Sequence, residues 1–278
     1  MSGTDALRIR ISDPADPRVA GFVSIKERDL TGRQGLFIAE GTVVLRMLAA
    51  AHAKGRGIRA EAILILENRL AGVDEILAGF PADVPVYVAT AAVFDAIAGF
   101  NMHRGVLALG RRDGMAGRDA LLDAVAPDAL VLAACGISNH DNLGSMFRNA
   151  VAFGVDAVLM DETCCDPMYR KAIRVSVGSV LSVPFAREGS IAALIERLQA
   201  NDFAIWGLSP RGETELQDIP PSARTALLVG TEGEGLPAAI LSSIRTARIR
   251  QRPGLDSLNV AVATGIALHQ VARINSFV

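Results

Sequence analysis

Short apolar runs, each followed by a segment of helical periodicity, recur along this chain, and that alternation limits its fold more than any other feature. In the first part the runs are "GLFIAEG", "EAILILE", "VPVYVAT" and "RGVLALG", with helical segments such as "GTVVLRMLAAAHAK" and "TAAVFDAIAGF" between them. The second part continues with "DALVLAACG", "DAVLMD", "SVPFAR", "FAIWGLS", "TALLVG" and "ARIRQR". Its helical segments are "NLGSMFRNA", "SIAALIERLQAN", "PAAILSSI" and "SLNVAVATGIALHQVARI". Near-continuous apolar strands alternating with helices give an α/β fold whose mostly parallel sheet is covered on both faces. Connection rules alone make it an open doubly wound sheet without a knot.

With 278 residues the chain is comfortable as two domains, and the polar stretch "RRDGMAGRDA" reads as the connection between them. Residues up to about Asp16 read as loosely ordered. Half the residues are hydrophobic and only one Trp and two Tyr occur, so the core is aliphatic. A formal net charge of −2 argues against coating nucleic acid by bulk charge, although a local basic site is compatible with it. Cys135, Cys164 and Cys165 form no CxxC pair and have no ligand-like spacing to His, so they read as free thiols without a metal. No run reaches the roughly 18 apolar residues of a membrane span, and "MSGTDALRIR" lacks a signal region. The chain reads as soluble and cytoplasmic.

Three segments of the second part carry candidate chemistry. In "NLGSMFRNA", Leu143, Met146, Phe147, Ala150 and Val151 form one apolar stripe, with Asp141 or Asn142 placed to cap the helix. Arg148 and Asn142 point away from that stripe, which alone describes a capped helix with a solvated arginine. In "LLVGTEGEGLP" a strand ends at Gly230 and a loop with Gly233 and Gly235 follows. Its spacing matches no phosphate-binding loop, and Glu232 and Glu234 repel phosphate. Such a loop suits a ligand with hydroxyls, amines or positive charge, or is an acidic surface turn. In "ARIRQRPGLDSLN" strand alternation puts Arg248, Arg250 and Arg252 on one face and Ile249 opposite. A turn at Pro253–Gly254 follows, Ser257 stands at an N-cap, Asn259 falls in the first turn, and the helix beyond is apolar nearly all round. Those arginines are either a basic binding strip or a solvated edge that discourages aggregation.

Together these segments resemble the SpoU/TrmH family of SPOUT methyltransferases. "NLGSMFRNA" is similar to the family's first motif, N-x-G-x-x-x-R-x-A, "LLVGTEGEGL" to its second and "IRQRPGLDSLNVAVATGIAL" to its third. "YRKAIRVSVGS" resembles the R-x-S-x-G segment between the first two. The resemblance runs from about Asp128 to the end. It implies a SPOUT-type methyltransferase domain over 128–278 with a C-terminal trefoil knot, after a linker and first helix over 113–127. The N-terminal part, with "GLFIAEGTVVLRMLAA" and "HRGVLALG", resembles the substrate-binding domain of some members, which implies a small α/β domain over 1–112.

The same resemblance implies methyl transfer from S-adenosylmethionine to a ribose 2′-hydroxyl of rRNA or tRNA by a homodimer, each site lying near the partner subunit. It places Arg148 at the reacting hydroxyl, with Asn142 orienting Arg148 or the substrate and Glu232, Ser257 and Asn259 shaping the pocket. Gly230, Ile249 and Leu258 match positions that line the cofactor, and Leu208, at the end of "FAIWGLS", is a further candidate to touch it. Apart from the resemblance, basic residues cluster at Arg170, Lys171 and Arg174, from Arg245 to Arg252 and at Arg111 and Arg112, so Arg170, Lys171, Arg174, Arg248, Arg250 and Arg252 are the expected RNA contacts. A free arginine is a poor base, so Arg148 either clamps the adjacent phosphate or accepts the proton with the help of phosphate contact. His52, His103 and His269 belong to no motif; His140, two residues before Asn142, is a rival base. The alternatives are a non-catalytic RNA-binding or ribosome-assembly protein on the same fold, and methylation of a base instead of a ribose.

Overall fold

The computed structural model describes residues 8–23, 35–99, 104–252, 254 and 257–277. The chain forms two compact units, one of Met1–Met115 with Met168–Ser182, the other of Ala116–Pro167 with Val183–Val278. The first division falls at Met115–Ala116, and residues 168–182, the "YRKAIRVSVGS" region, group with the first unit.

In the first unit β1 (Arg8–Ile11), β2 (Leu36–Glu40), β3 (Ile58–Leu66), β4 (Val86–Ala89) and β5 (Val106–Arg112) form a sheet of order β1-β4-β3-β5-β2. It is mixed: β5 runs antiparallel to both β3 and β2, while β1 and β3 flank β4 in parallel. The expected loose N-terminus is contradicted at β1. Its alternating RIRI sequence sits at a sheet edge, where Ile11 is buried and Arg8 and Arg10 reach Asp74 and Glu67. Helices Thr42–Lys54 and Ala91–Ala98 form where their apolar periodicity places them, and Ile38, Leu64, Phe94, Ile97 and Leu107 share one buried cluster.

The second unit contains β6 (Ala129–Ala134), β7 (Ala157–Met160), β8 (Phe185–Arg187), β9 (Ala204–Leu208), β10 (Thr214–Glu215), β11 (Arg224–Val229) and β12 (Arg245–Arg248). These strands form one sheet of order β10-β12-β9-β11-β6-β7-β8, and every pairing is parallel. Burial on both faces explains the unbroken apolar sequence of β6, whose six residues are all inaccessible. Helix Ile191–Ala200 packs on one face beside Leu122, Phe203 and Ile205. Helices His140–Ala152 and Val260–Ile274 pack on each other, and the latter also meets β11. The last helix is less enclosed than its composition suggests. Val262 and Ile266 are 52% and 42% exposed, because only the face carrying Ala261, Thr264, Ala267, Leu268 and Val271 turns inward.

No helix among the described residues is long and apolar enough to cross a membrane.

Candidate active site

Because the sheet of the second unit is parallel, the carboxyl ends of β6, β11, β9 and β12 lie side by side along one edge. Ligands of open parallel sheets gather at that edge. Four connections leave from it: Cys135–Asn139 into the 140–152 helix, Gly230–Leu236, Ser209–Glu213, and Ile249–Asn259 into the last helix.

Asn259 ties three of them together. Its side-chain oxygen accepts from the backbone N–H of Ala261 at 3.0 Å and of Val262 at 3.3 Å, so it is the N-cap of the last helix. Its amide group donates to Asn142 Oδ1 at 2.9 Å and to Glu232 Oε1 at 2.8 Å. Residues from all three motif segments therefore meet at one side chain. Two sequence expectations are corrected. The cap is Asn259 and not Ser257, which is exposed and precedes the helix by three positions. Asn142 does not face solvent but is 7% exposed and turned inward, because Asn259 supplies the donor its carbonyl needs.

The 140–152 helix also starts earlier than either expected cap. Asn139 accepts from Asp141 N–H at 2.8 Å, and Asp141 and Asn142 lie in the first turn. Leu143, Met146, Phe147 and Ala150 are fully buried as the stripe predicts, while Val151 is 41% exposed. Arg148 is exposed and forms no hydrogen bond or ion pair with any described residue. Six residues beyond Asn142, it stands about 120° around the helix and about 9 Å along it. The fold brings Asn142, Glu232 and Asn259 into contact but does not bond Arg148 to them.

The expected cofactor-lining residues fall on three neighbouring strand ends: Leu208 on β9, Gly230 after β11 and Ile249 after β12, with Leu258 beside the cap. The Gly230 loop folds back on itself, Thr231 and Gly235 exchanging backbone hydrogen bonds of 3.2 and 3.1 Å. A Cβ on Gly230 would lie 2.3 Å from the Gly235 carbonyl carbon, so only glycine allows this approach. In the connection after β12, Gln251 Oε1 is buried and receives no hydrogen bond from any described residue. No metal-ligating group of three or more His, Cys, Asp or Glu residues exists among the described residues. Backbone-lined loops with an unfilled acceptor and the Glu232 carboxylate fit a nucleoside-bearing cation such as S-adenosylmethionine. The turn expected at Pro253–Gly254 falls partly outside the described residues, as does His103.

Comparison with known proteins accords with this geometry. The model of the SpoU rRNA methylase family matches residues 129–269. The chain is also 37% identical over 273 residues to an uncharacterised tRNA/rRNA methyltransferase of Mycobacterium tuberculosis, covering 95% of this chain and 91% of that one. The chain belongs to the SpoU rRNA methylase family. A crystal structure of an RNA 2′-O ribose methyltransferase superposes with a TM-score of 0.73 at 27% identity, covering 96% of this chain and 99% of that chain. A Sinorhizobium meliloti rRNA methyltransferase bound to AdoMet shares the fold at a TM-score of 0.77 and 24% identity, covering 96% and 98%.

Several basic residues of this SpoU family chain are committed elsewhere. In the first unit the Nε and Nη2 groups of Arg170 donate to Glu40 Oε2 at 3.2 and 3.0 Å, whereas Lys171 and Arg174 are exposed. In the second, Arg248 donates to Glu215 Oε1 at 2.8 and 3.0 Å and to the Gly212 carbonyl at 2.7 Å. Arg250 lies 3.7 Å from the same Glu215 carboxylate, and Arg252 is exposed. β12 ends at Arg248, so only that arginine of the expected strip lies in the strand, while Arg248 and Arg250 still turn to the same Glu215 carboxylate. His140 opens its helix half-buried and has an interaction partner of its own.

Sequence reasoning passed over two supporting groups. Asn149 Nδ2 donates 2.8 Å to the Ala261 carbonyl and fixes the first turn of the last helix against the 140–152 helix. Asp161, 4% exposed after β7, accepts from Gly136 N–H at 3.1 Å, Thr163 Oγ1 at 2.8 Å and Cys164 N–H at 3.1 Å, bracing the turn before Asn139. Burial pushes its carboxyl upward, but those bonds and the neighbouring Cys135 and Cys164 thiols win and hold it below the usual value. Burial first, and Asp161 second, push the Cys135 thiol up to about 12. An aspartate directly after an apolar strand, in "LMDETCC", was the available signal.

Proposed function

We propose that this chain methylates a ribose 2′-hydroxyl of structured rRNA or tRNA, using S-adenosylmethionine. The observation that carries the reading is the single side chain of Asn259 bonded to Asn142 and Glu232, uniting three separate motifs at the carboxyl edge of a parallel sheet. Bound S-adenosylmethionine supplies an electrophilic methyl group on a positively charged sulfur. The protein must hold the hydroxyl in line, take up or pass on its proton, and exclude water. Asn142, Glu232 and Asn259, with exposed Ser257 nearby in sequence, shape the pocket. Leu208, Gly230, Ile249 and Leu258 line the cofactor through three adjacent loops. The guanidinium of Arg148 clamps the phosphate beside the target ribose and so positions the hydroxyl.

The working form in this reading is a homodimer. Arg148 shares its helix with exposed Val151, and the adjoining last helix presents Val262 and Ile266, an apolar patch suited to a second copy. Such a pairing gives Arg148 partners it lacks among the described residues of its own subunit. The connections after β6, β9, β11 and β12 at one edge suit the trefoil knot of the family. The first unit serves as the RNA-binding domain, with exposed Lys171 and Arg174 as contacts, and Arg250 and Arg252 contribute from the second.

Mapping of 2′-O-methyl marks in total RNA with and without the gene tests the reading. A site that becomes sensitive to alkaline cleavage only when the gene is deleted is the expected result, because a 2′-O-methyl blocks attack on the phosphate. A mark on a base instead, or S-adenosylmethionine binding without turnover on any RNA, would overturn it in favour of base methylation or of a non-catalytic RNA-binding protein.

A further inference from the structure

Buried side-chain polar atoms without a partner are rare in folded proteins, and each one calls for an explanation. Among the described residues they are Trp206 Nε1, Arg224 Nε and Nη2, and Gln251 Oε1. Arg224 lies at the amino end of β11 with its guanidinium 4.6 Å over the Phe203 ring, and Trp206 lies within β9 with Arg245 5.7 Å over its ring. Neither is in a connection at the carboxyl edge. Gln251 is: it follows β12 by three residues, two beyond Ile249, in the segment that leads to Asn259. Its oxygen accepts only, so what completes it is a donor, and no described residue supplies one.

The sheet order indicates which end of the cofactor that donor belongs to. β12 is separated from β11 by β9, so their carboxyl ends stand about two strand spacings apart, about 10 Å. The methyl group must lie at the Asn142–Glu232–Asn259 cluster, on the β11 and β6 side. The opposite, nucleoside end then falls toward β12. There the adenine carries a 6-amino group, a donor that a buried carbonyl oxygen can meet. Building on the cofactor assignment above, we infer that Gln251 determines nucleobase specificity, its Oε1 accepting a hydrogen bond from the adenine 6-amino group. A cofactor with a 6-keto group would set two acceptors against each other at this point.

Calorimetry on the full-length protein tests this with S-adenosylhomocysteine and its inosine counterpart, which differ in the 6-amino and 6-keto groups. The native protein is expected to prefer the adenine form by about tenfold or more, the scale of one well-made buried hydrogen bond. Gln251→Leu should bring the two affinities within about threefold, and Gln251→Glu, which keeps an acceptor, should retain the preference. The ligand-free leucine variant should melt no lower than the native protein, because an unsatisfied buried acceptor has been removed. Gln251→Met gives the same reading if the leucine variant does not fold. An undiminished preference in the leucine or methionine variant, or no preference in the native protein, overturns the inference alone. Failure of the native protein to bind either compound would instead strike at the cofactor assignment.

Discussion

Asn259 caps a helix and in the proposed function also shapes the pocket, and two substitutions separate the roles. Asn259→Ala removes the oxygen that accepts from Ala261 and Val262 and the amide that fills the buried Asn142 carbonyl. Loss of the cap costs about 1 kcal/mol and the orphaned Asn142 oxygen about 1 kcal/mol or more. Glu232 is exposed and rehydrates, adding little. The sum, about 2 kcal/mol, corresponds to a fall of about 4–8 °C in the melting of the second unit. Asn259→Asp keeps an equally good cap but replaces the donor by a carboxylate that faces Asn142 Oδ1 and Glu232 Oε1. Its melting temperature should fall by less than the alanine variant's, while methyl transfer drops by at least about 10² for loss of a preorganised polar contact. Calorimetric melts with single-turnover transfer of labelled methyl to RNA measure both quantities. An aspartate variant of native activity would refute the pocket role, and an alanine variant of undiminished stability would refute the dual bonding.

Arg148→Ala should cut turnover by at least about 10² while S-adenosylmethionine binding by calorimetry and the melting temperature stay unchanged, since the side chain has no described partner to lose. His140→Ala should leave turnover within a few-fold; abolished activity there would reassign the roles. Gly230→Ala forces a Cβ to within 2.3–2.4 Å of backbone atoms of Gly235 and Leu236, so the loop must open. S-adenosylmethionine affinity should then fall more than about tenfold, with a lower melting temperature. Because Asp161 titrates below the usual carboxylate value when folded, its contribution to stability is complete above about pH 4 and is lost as pH falls through the folded value. In urea melts at a series of pH values the gap between native protein and Asp161→Asn should be constant near neutrality and close below about pH 4. A gap that widens in acid would reverse the sign.

The parallel sheet was legible because strands buried on both faces, such as Ala129–Ala134, leave no polar interruption. β10, two residues long, carries no such signal, and β1 hid behind the charges that protect a sheet edge. Composition could not choose among the cap-type residues of "SNHDN"; Asn139 wins because Asn142 is claimed by Asn259. The inward turn of Asn142 was illegible for the same reason, since its partner lies 117 residues away. Strand alternation has a backbone basis only as far as Arg248, where β12 ends, although Arg250 still turns to the Glu215 carboxylate that holds Arg248. The family resemblance supplied the identities of the meeting residues but not the carboxylates that hold Arg170 and Arg248.

The bond between Asn142 and Asn259 also sets a schedule. At about 5–20 residues per second, synthesis of the 117 residues between them takes about 6–23 s. Throughout that interval the nascent chain displays the first asparagine without the second. The contact among the three motif segments therefore forms only once Asn259 has been made, and a premature stop anywhere before it leaves Asn142 and Glu232 without the side chain that joins them, however well the earlier strands have folded.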